Sequence, residues 1–211
     1  MLLRAYSIGM FPMAQTRDGD RLFWLDPKQR GILPLDAFHL PRRLLRTVRA
    51  HVFDVTCDQD FPAVIAGCAT PAPGRSDTWI NSEIERLFTD LWHLGHVHTV
   101  ECRREGVLVG GLYGVVLGGV FFGESMFSFA TDASKVALVH LVARLRIGGF
   151  TLLDTQFLTE HLARFGTQEI PRHEYKARLA AAANAPGRWL VSPDPETLAA
   201  EILAMAGKNP M

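Results

Sequence analysis

Eighteen consecutive uncharged residues, Gly106 to Gly123 (GVLVGGLYGVVLGGVFFG), constrain this chain more than any other stretch. That length only just reaches what a membrane-spanning helix needs. Seven of the eighteen residues are glycine, and each would cost a helix roughly 1 kcal/mol relative to alanine. The rest are mostly branched or aromatic, and Gly118-Gly119 suits a tight turn between two apolar runs. The stretch therefore predicts a buried β-hairpin.

The flanks extend that hairpin. HVHTVECRR precedes it and VFFGESMFS completes it, with breaks at Glu105-Gly106 and Gly118-Gly119, a pattern that predicts an antiparallel meander. Upstream, PRRLLRTVR reads as a helix after Pro41, HVFDVTCD as a strand, DFPAVIAGCA as a helix and TPAPGRSDT as a loop. EIERLFTDLWHL follows as a helix, capped by Asn81 or Ser82 and closed by Gly95. Downstream, a helix from about Ala133 to Arg146 ends at Gly148-Gly149. FTLLD is a short strand, HLARFG a short helix, and Tyr175 to Ala185 a last helix or part of one. Residues 1–36, rich in Gly, Pro and aromatics with little periodicity, read as a small N-terminal subdomain ahead of a main domain over 37–211. Helices with a central, largely antiparallel sheet make this an α+β chain.

At 211 residues the chain buries enough surface to fold without covalent staples. Cys57, Cys68 and Cys102 are odd in number, far apart and form no CxxC pair, which fits a reducing, cytoplasmic setting. MLLRAYSIGMFPM lacks the continuous apolar run and small-residue cleavage site of an export signal. With 22 basic and 22 acidic residues, net charge identifies no partner, and only its distribution is informative. His93, His96 and His98 straddle a helix end and a strand, matching no zinc spacing, so no metal is expected. Ser134-Lys135 is not the SxxK arrangement of a serine acyl-enzyme.

The runs AYSIGMFPM, FWLDPKQRGILPL, FHLPRRLLRTVR, TWI, HLGHVHTVE, LVGGLYGVVLGGVFFGESMFS, DASKVALVHL and LLDTQF occur in an order that resembles the leucyl/phenylalanyl-tRNA-protein transferases. The match covers nearly the whole chain, and no general rule of folding asks for that succession. The resemblance implies a small N-terminal domain joined to a GNAT-like acyltransferase domain. It also implies leucine, phenylalanine or methionine carried by tRNA as donor, and the N-terminal α-amine of a protein as acceptor. Family precedent favours acceptors beginning with lysine or arginine, which the transfer marks for N-end-rule degradation. Neither a cofactor nor a membrane partner is implied, and monomer is the default. Met13, where relatives often carry tryptophan, and Phe23-Trp24-Leu25, where they carry a Trp-Trp pair, leave the preference between leucine and phenylalanine open.

Several residues acquire candidate roles by that resemblance. Asp154 and Gln156 are two apart on a strand, so extended backbone would turn both to one side. The family match assigns them to the attacking amine, with Gln156 as the nearer acceptor, whereas residue types alone equally allow Asp154 to cap the next helix. Glu124, in the otherwise apolar FFGESMFS, needs a partner if buried. An arginine salt bridge is the ordinary answer, and the resemblance places Glu124 in the active site instead. Trp79, Met126, Leu138 and Leu141, which would otherwise be called core along with Leu112, are implied to line the aminoacyl pocket, with Tyr6 joining the substrate-binding set. An unbranched thioether such as Met126 adapts to more than one side-chain shape. Arg42, Arg46 and Arg49 fall at helical spacing with Arg43 beside them, and the run contains no acid to pair with them. Such a stripe is either a solvated face or a grip on tRNA phosphates.

Two other functions compete on these residues. A CoA-dependent acetyltransferase would need a glycine-spaced pyrophosphate loop, and none precedes DASKVALVHL, so CoA is not expected. A non-catalytic RNA-binding module would leave Asp154, Gln156 and Glu124 unexplained.

Overall fold

A computed structural model describes residues 1–19, 21–71 and 77–207. The expected loop TPAPGRSDT lies mostly outside the described residues. Helix α1 (Leu2–Ser7) leads into a two-stranded antiparallel sheet of β1 (Phe11–Ala14) and β2 (Leu22–Leu25). Then come β3 (Gln29–Ile32), α2 (Arg42–Arg49), β4 (Asp54–Cys57), α3 (Phe61–Ala69) and α4 (Ser82–His93). The meander is β5 (Val97–Arg104), β6 (Val107–Leu117) and β7 (Val120–Ser128). After it the chain forms α5 (Ala133–Ile147), β8 (Leu152–Gln156), α6 (Glu160–Ala163), β9 (Gln168–Pro171), α7 (Arg172–Ala183) and α8 (Pro195–Ala206).

The expected α+β architecture is present: a seven-stranded sheet in the order β4-β5-β6-β7-β8-β3-β9, antiparallel except for the β7–β8 pair. β3, from the N-terminal stretch, is inserted between β8 and β9. Glu105 and Gly106 both have positive φ, 52° and 77°, as a two-residue turn of right-handed twist requires. Asn81 is the residue that caps α4, its side chain accepting from the Ile84 N–H, and Gly95 takes the left-handed conformation just past the helix. Elements β9 and α8 extend the architecture beyond what the hydrophobic pattern predicts.

One buried cluster lies on the α2, α5 and α8 side of the sheet and a second on the α1, α3, α4 and α7 side. Leu112 and Tyr113, adjacent on β6, point into the two clusters in turn, as the strand period demands. Helix α5 is buried on nearly every face and forms the spine of the first layer.

Glycines let this sheet receive large rings at short range. A Cβ on Gly114 would meet the Phe121 ring and the Phe122 carbonyl oxygen, so the ring occupies the space a side chain would need. Gly114→Val should therefore lower the free energy of unfolding by about 3 kcal/mol, the upper end of ordinary overpacking. Urea denaturation followed by tryptophan fluorescence checks it.

Candidate active site

β7 and β8 pair only through Val120–Phe122 and Leu152–Asp154. Beyond that register the strands part, and a cavity of about 310 Å³ opens where they separate. Its apolar wall is Leu112, Met126, Leu138, Leu141 and Leu153, with Trp79 and Met13 contributing from the opposite side. All four residues expected in an aminoacyl pocket, Trp79, Met126, Leu138 and Leu141, line this one cavity, and Leu112 joins them. Phe11 and Phe157 stand at its edge as an edge-to-face pair, ring centroids 5.7 Å apart.

Two backbone irregularities aim the polar side chains. On β7, Ser125 faces Tyr113 and Gly123 faces Gly114, which leaves Glu124 as the extra residue of a β-bulge. A bulge bends its strand and redirects a side chain, as often happens beside active sites. On β8, Gln156 is not extended: its φ is 56°, and the Phe157 N–H donates to the Thr155 carbonyl at 2.6 Å. This is a γ-turn of the rare left-handed kind, a conformation that costs on the order of 1–3 kcal/mol outside glycine and persists only when its surroundings hold it. The expectation that Asp154 and Gln156 share one side of an extended strand is therefore corrected.

The two irregularities bring Tyr6, Glu124 and Gln156 together. Glu124 Oε1 accepts from the Tyr6 hydroxyl at 2.7 Å and from Gln156 Nε2 at 3.1 Å. With Nε2 committed to Glu124, the Gln156 carbonyl oxygen is left for another donor. Tyr6 itself is fully buried and does not line the cavity; its ring packs on Phe122. Glu124 makes no ion pair among the described residues, so the arginine bridge considered from sequence is absent. Although Glu124 keeps partial exposure to the cavity, crowding protein atoms strip it of water, and its pKa rises to about 8. Burial is the main cause; repulsion from Asp154 adds to it, while the Tyr6 hydrogen bond and Arg30 oppose it. Burial, then Glu124, holds the Tyr6 phenol well above its ordinary pKa.

Asp154 sits behind this pair, with no exposure. Arg30 grips it with Nε at 2.9 Å from Oδ1 and Nη2 at 2.6 Å from Oδ2, the Tyr175 hydroxyl donates to Oδ2 at 2.6 Å, and the Gln156 backbone N–H donates to Oδ1 at 2.8 Å. Asp154 therefore contacts the Gln156 main chain rather than its amide, and it does not cap α6, whose cap is the Thr159 hydroxyl. Arg30 lies between the Phe11 and Tyr175 rings, 4.5 Å from each centroid, and donates Nη1 to the Gly9 carbonyl. Burial alone would discourage its charge, but Asp154 more than offsets this and raises its pKa. Sequence reasoning missed Arg30 and Tyr175; the one available signal was the position of Arg30 within FWLDPKQRGILPL.

Arg42, Arg43, Arg46 and Arg49 are exposed on α2, while Leu44 and Val48 face the core. Arg43 reaches Asp132 at 3.7 Å, an acid outside the run; the other three make no ion pair among the described residues. Lys135 also binds Asp132, at 2.6 Å, and together with Arg164 it adds to burial in depressing the pKa of His161 on the cavity wall. Basic groups thus link α2 to the cavity rim. His93, His96 and His98 do not converge: His98 pairs with Asp58 at 2.8 Å and stacks on Trp189. Among the described residues no cluster of His, Cys, Asp or Glu is arranged to hold a metal, and no helix is long and apolar enough to cross a membrane.

An apolar cavity at a parting in a mixed sheet, edged by a carboxyl and an amide with a buried phenol behind them, has the groups that an acyltransferase can use. The comparisons with known proteins carry this to a family. Residues 32–180 match the model of leucyl/phenylalanyl-tRNA protein transferase and residues 1–28 that of its N-terminal domain. Leucyl/phenylalanyl-tRNA–protein transferases from Paramagnetospirillum magneticum and Maricaulis maris are 62% and 60% identical over 86% of this chain, covering 87% and 84% of their own lengths. That of Afipia carboxidovorans is 53% identical over 97% of the chain and 91% of its own length. Among solved structures, L-PGS from Bacillus licheniformis aligns over 96% of this chain and 68% of its own with a TM-score of 0.40 at 12% identity. The chain belongs to the leucyl/phenylalanyl-tRNA-protein transferase family, and is an aminoacyltransferase that uses aminoacyl-tRNA.

Because Asp154 neutralises a wholly buried guanidinium, Asp154→Asn should destabilise the fold by about 3–5 kcal/mol, the usual cost of leaving one buried charge unpaired. Chemical denaturation at neutral pH measures the loss.

Proposed function

We propose that the chain moves leucine, phenylalanine or methionine from aminoacyl-tRNA onto the α-amine of proteins beginning with lysine or arginine, as a cytoplasmic monomer without a cofactor, marking them for N-end-rule degradation. The observation that carries this reading is the apolar cavity opening onto the Glu124–Gln156 pair. The donor's apolar side chain occupies the Trp79, Met126, Leu138 and Leu141 wall, which leaves the ester beside the polar edge. The three free cysteines, all buried, suit a reducing compartment.

The ester is already activated, so the enzyme's contribution is placement and proton traffic. Starting from the ammonium, transfer takes two protons from the acceptor nitrogen, delivers one to the departing ribose oxygen and releases the other to solvent. The C–N bond forms, the C–O bond breaks, and nothing is oxidised or reduced. A protein α-amine has a pKa of about 7.7–8.0, and Glu124 titrates at about 8. That match allows Glu124 to take the ammonium proton and pass it to the leaving oxygen, then to take the second proton that the nitrogen sheds as the amide forms and release it to solvent. The Gln156 carbonyl oxygen accepts an N–H of the amine and aligns its lone pair. An amide is too weak a base to take the proton itself. Asp154 serves the site from behind, through the backbone of Gln156, and Tyr6 anchors Glu124 Oε1. The acceptor arm of the tRNA follows the basic groups from the cavity rim to Arg42, Arg46 and Arg49 on α2, with Arg43 held near Asp132.

Labelled leucine passing from leucyl-tRNA to a peptide with N-terminal arginine, without nucleotide or metal, is the direct test. A peptide with N-terminal glutamate serving equally well would remove the acceptor assignment. The productive state holds one proton between Glu124 and the amine, so kcat/KM for the acceptor should be bell-shaped with its maximum near pH 8. Below the maximum both groups are protonated and no nucleophile exists; above it both are bare and the leaving oxygen has no donor. Glu124→Gln should slow transfer and abolish the alkaline limb, and a limb retained in that variant would assign the proton to another group. Neutralising Arg42, Arg46 and Arg49 together should weaken binding of all tRNAs alike and flatten the log–log salt dependence by roughly 0.7–0.9 per lost phosphate contact. An unchanged slope would return α2 to being a solvated face.

A further inference from the structure

We propose that Arg30 and Tyr175 are positioning residues for transfer: acting through Asp154, they hold Gln156 in its left-handed turn and keep its side chain on Glu124. The inference rests on the reading of Gln156 as the residue that receives the acceptor amine. Neither Arg30 nor Tyr175 lines the cavity.

The argument follows the hydrogen bonds outward from Gln156. Its φ of 56° belongs to a region that residues with side chains avoid, so something must supply the preference. That something is Asp154 Oδ1, which accepts the Gln156 N–H at 2.8 Å in the manner of an Asx-turn. A carboxylate free to rotate would release that N–H, and the strand would relax toward extended backbone. Asp154 is not free to rotate. Arg30 occupies both oxygens in a fork whose planar geometry fixes the carboxylate plane, and the Tyr175 hydroxyl adds a third donor on Oδ2. Tyr175 acts twice, because its ring also closes one side of Arg30 while Phe11 closes the other.

Backbone placement points the same way. β3 sets Gly31 directly opposite Gln156, and a Cβ on Gly31 would lie 2.7 Å from the Phe157 carbonyl carbon. The strand that delivers Arg30 to Asp154 therefore carries, one residue on, the bare backbone that the turn at Gln156–Phe157 requires. Two distant segments meet on the Asp154 carboxylate, Arg30 from β3 and Tyr175 from α7, and that carboxylate holds Gln156 two residues along its own strand.

The experiment is a double-mutant cycle on the full chain, using single-turnover transfer of labelled leucine from leucyl-tRNA to a peptide with N-terminal arginine. Tyr175→Phe removes one hydroxyl and keeps the ring on Arg30. It should lower the transfer rate between about ten- and a hundredfold, the scale of a misplaced reacting group, with binding of leucyl-tRNA unchanged. In a Gln156→Ala background the same substitution should have no further effect, since nothing is left to position. Arg30→Lys, which keeps the charge but loses the fork, should show the same selective loss and the same masking by Gln156→Ala. A transfer rate within twofold of wild type in Tyr175→Phe, or an equal loss with and without Gln156, overturns the proposal. Failure of the catalytic reading itself would look different: Gln156→Ala alone would transfer at the wild-type rate.

Discussion

Everything in the site leans on the buried ion pair between Arg30 and Asp154. Such a pair contributes little net stability, because taking two charges out of water costs about as much as their attraction returns. What it contributes is register. β3 pairs with β8 over two residue pairs, Gly31 with Gln156 and Ile32 with Asp154, and with β9 over four, so the ion pair adds a side-chain check to a register that the ladders also hold. A slip of one residue would turn Arg30 to the other face of the sheet and leave Asp154 buried without a counter-ion. The ion pair makes that slip prohibitive, and the Gly9 carbonyl and the Phe11 ring then place the N-terminal segment that carries Tyr6 against Glu124.

The division of charge within this network also explains why two nearby carboxylates behave differently. Among the described residues the guanidinium in reach, that of Arg30, goes to Asp154, which gains two Arg30 donors, a phenol and a backbone N–H. Among the described residues Glu124 receives only a phenol and an amide, and no cation touches it. Placed in a crowded recess with Asp154 behind it, Glu124 is pushed to about 8, which keeps a proton within reach near neutral pH. On the proposed reading the two acids divide labour: Asp154, matched by a cation, holds geometry, and Glu124 exchanges a proton.

Much of the fold was legible because its elements obey simple periods. The glycine-rich hairpin, the meander, α5 and the Asn81 cap follow from alternation, helical spacing and turn chemistry, and each is where those rules put it. The residues of the apolar cavity were nameable only through the family runs, since Leu138 and Leu141 look like ordinary core by spacing. α8 went unread although Asp194 caps it and Pro195 opens it, because its apolar face follows a loop with little periodicity. The polar geometry was harder still. A bulge at Glu124 and a left-handed Gln156 break the strand period that sequence reasoning relies on, and Arg30 and Tyr175 lie 124 and 21 residues from the carboxylate they hold. Nothing local announces a partner at that distance.

The parting of β7 and β8 is the remaining constraint, and it sets what the site can do. A continuous sheet would separate the α5 layer from the layer that carries Tyr6, so an apolar side chain and a polar reacting centre could not occupy one cavity. Gly123 begins the opening, the bulge turns Glu124 away from the ladder, and the turn at Gln156 ends β8 before its side chains can close the gap. On the proposed reading, the donor's apolar side chain rests against α5, its ester lies in the opening, and the amine approaches from the Glu124 and Gln156 side. Selectivity for the donor and activation of the acceptor then reside in different layers of the protein. They are coupled only through the strands that part between them, so on that reading the cavity wall can vary without disturbing the carboxyl of Glu124 that exchanges the proton or the amide and guanidinium that hold the geometry around it.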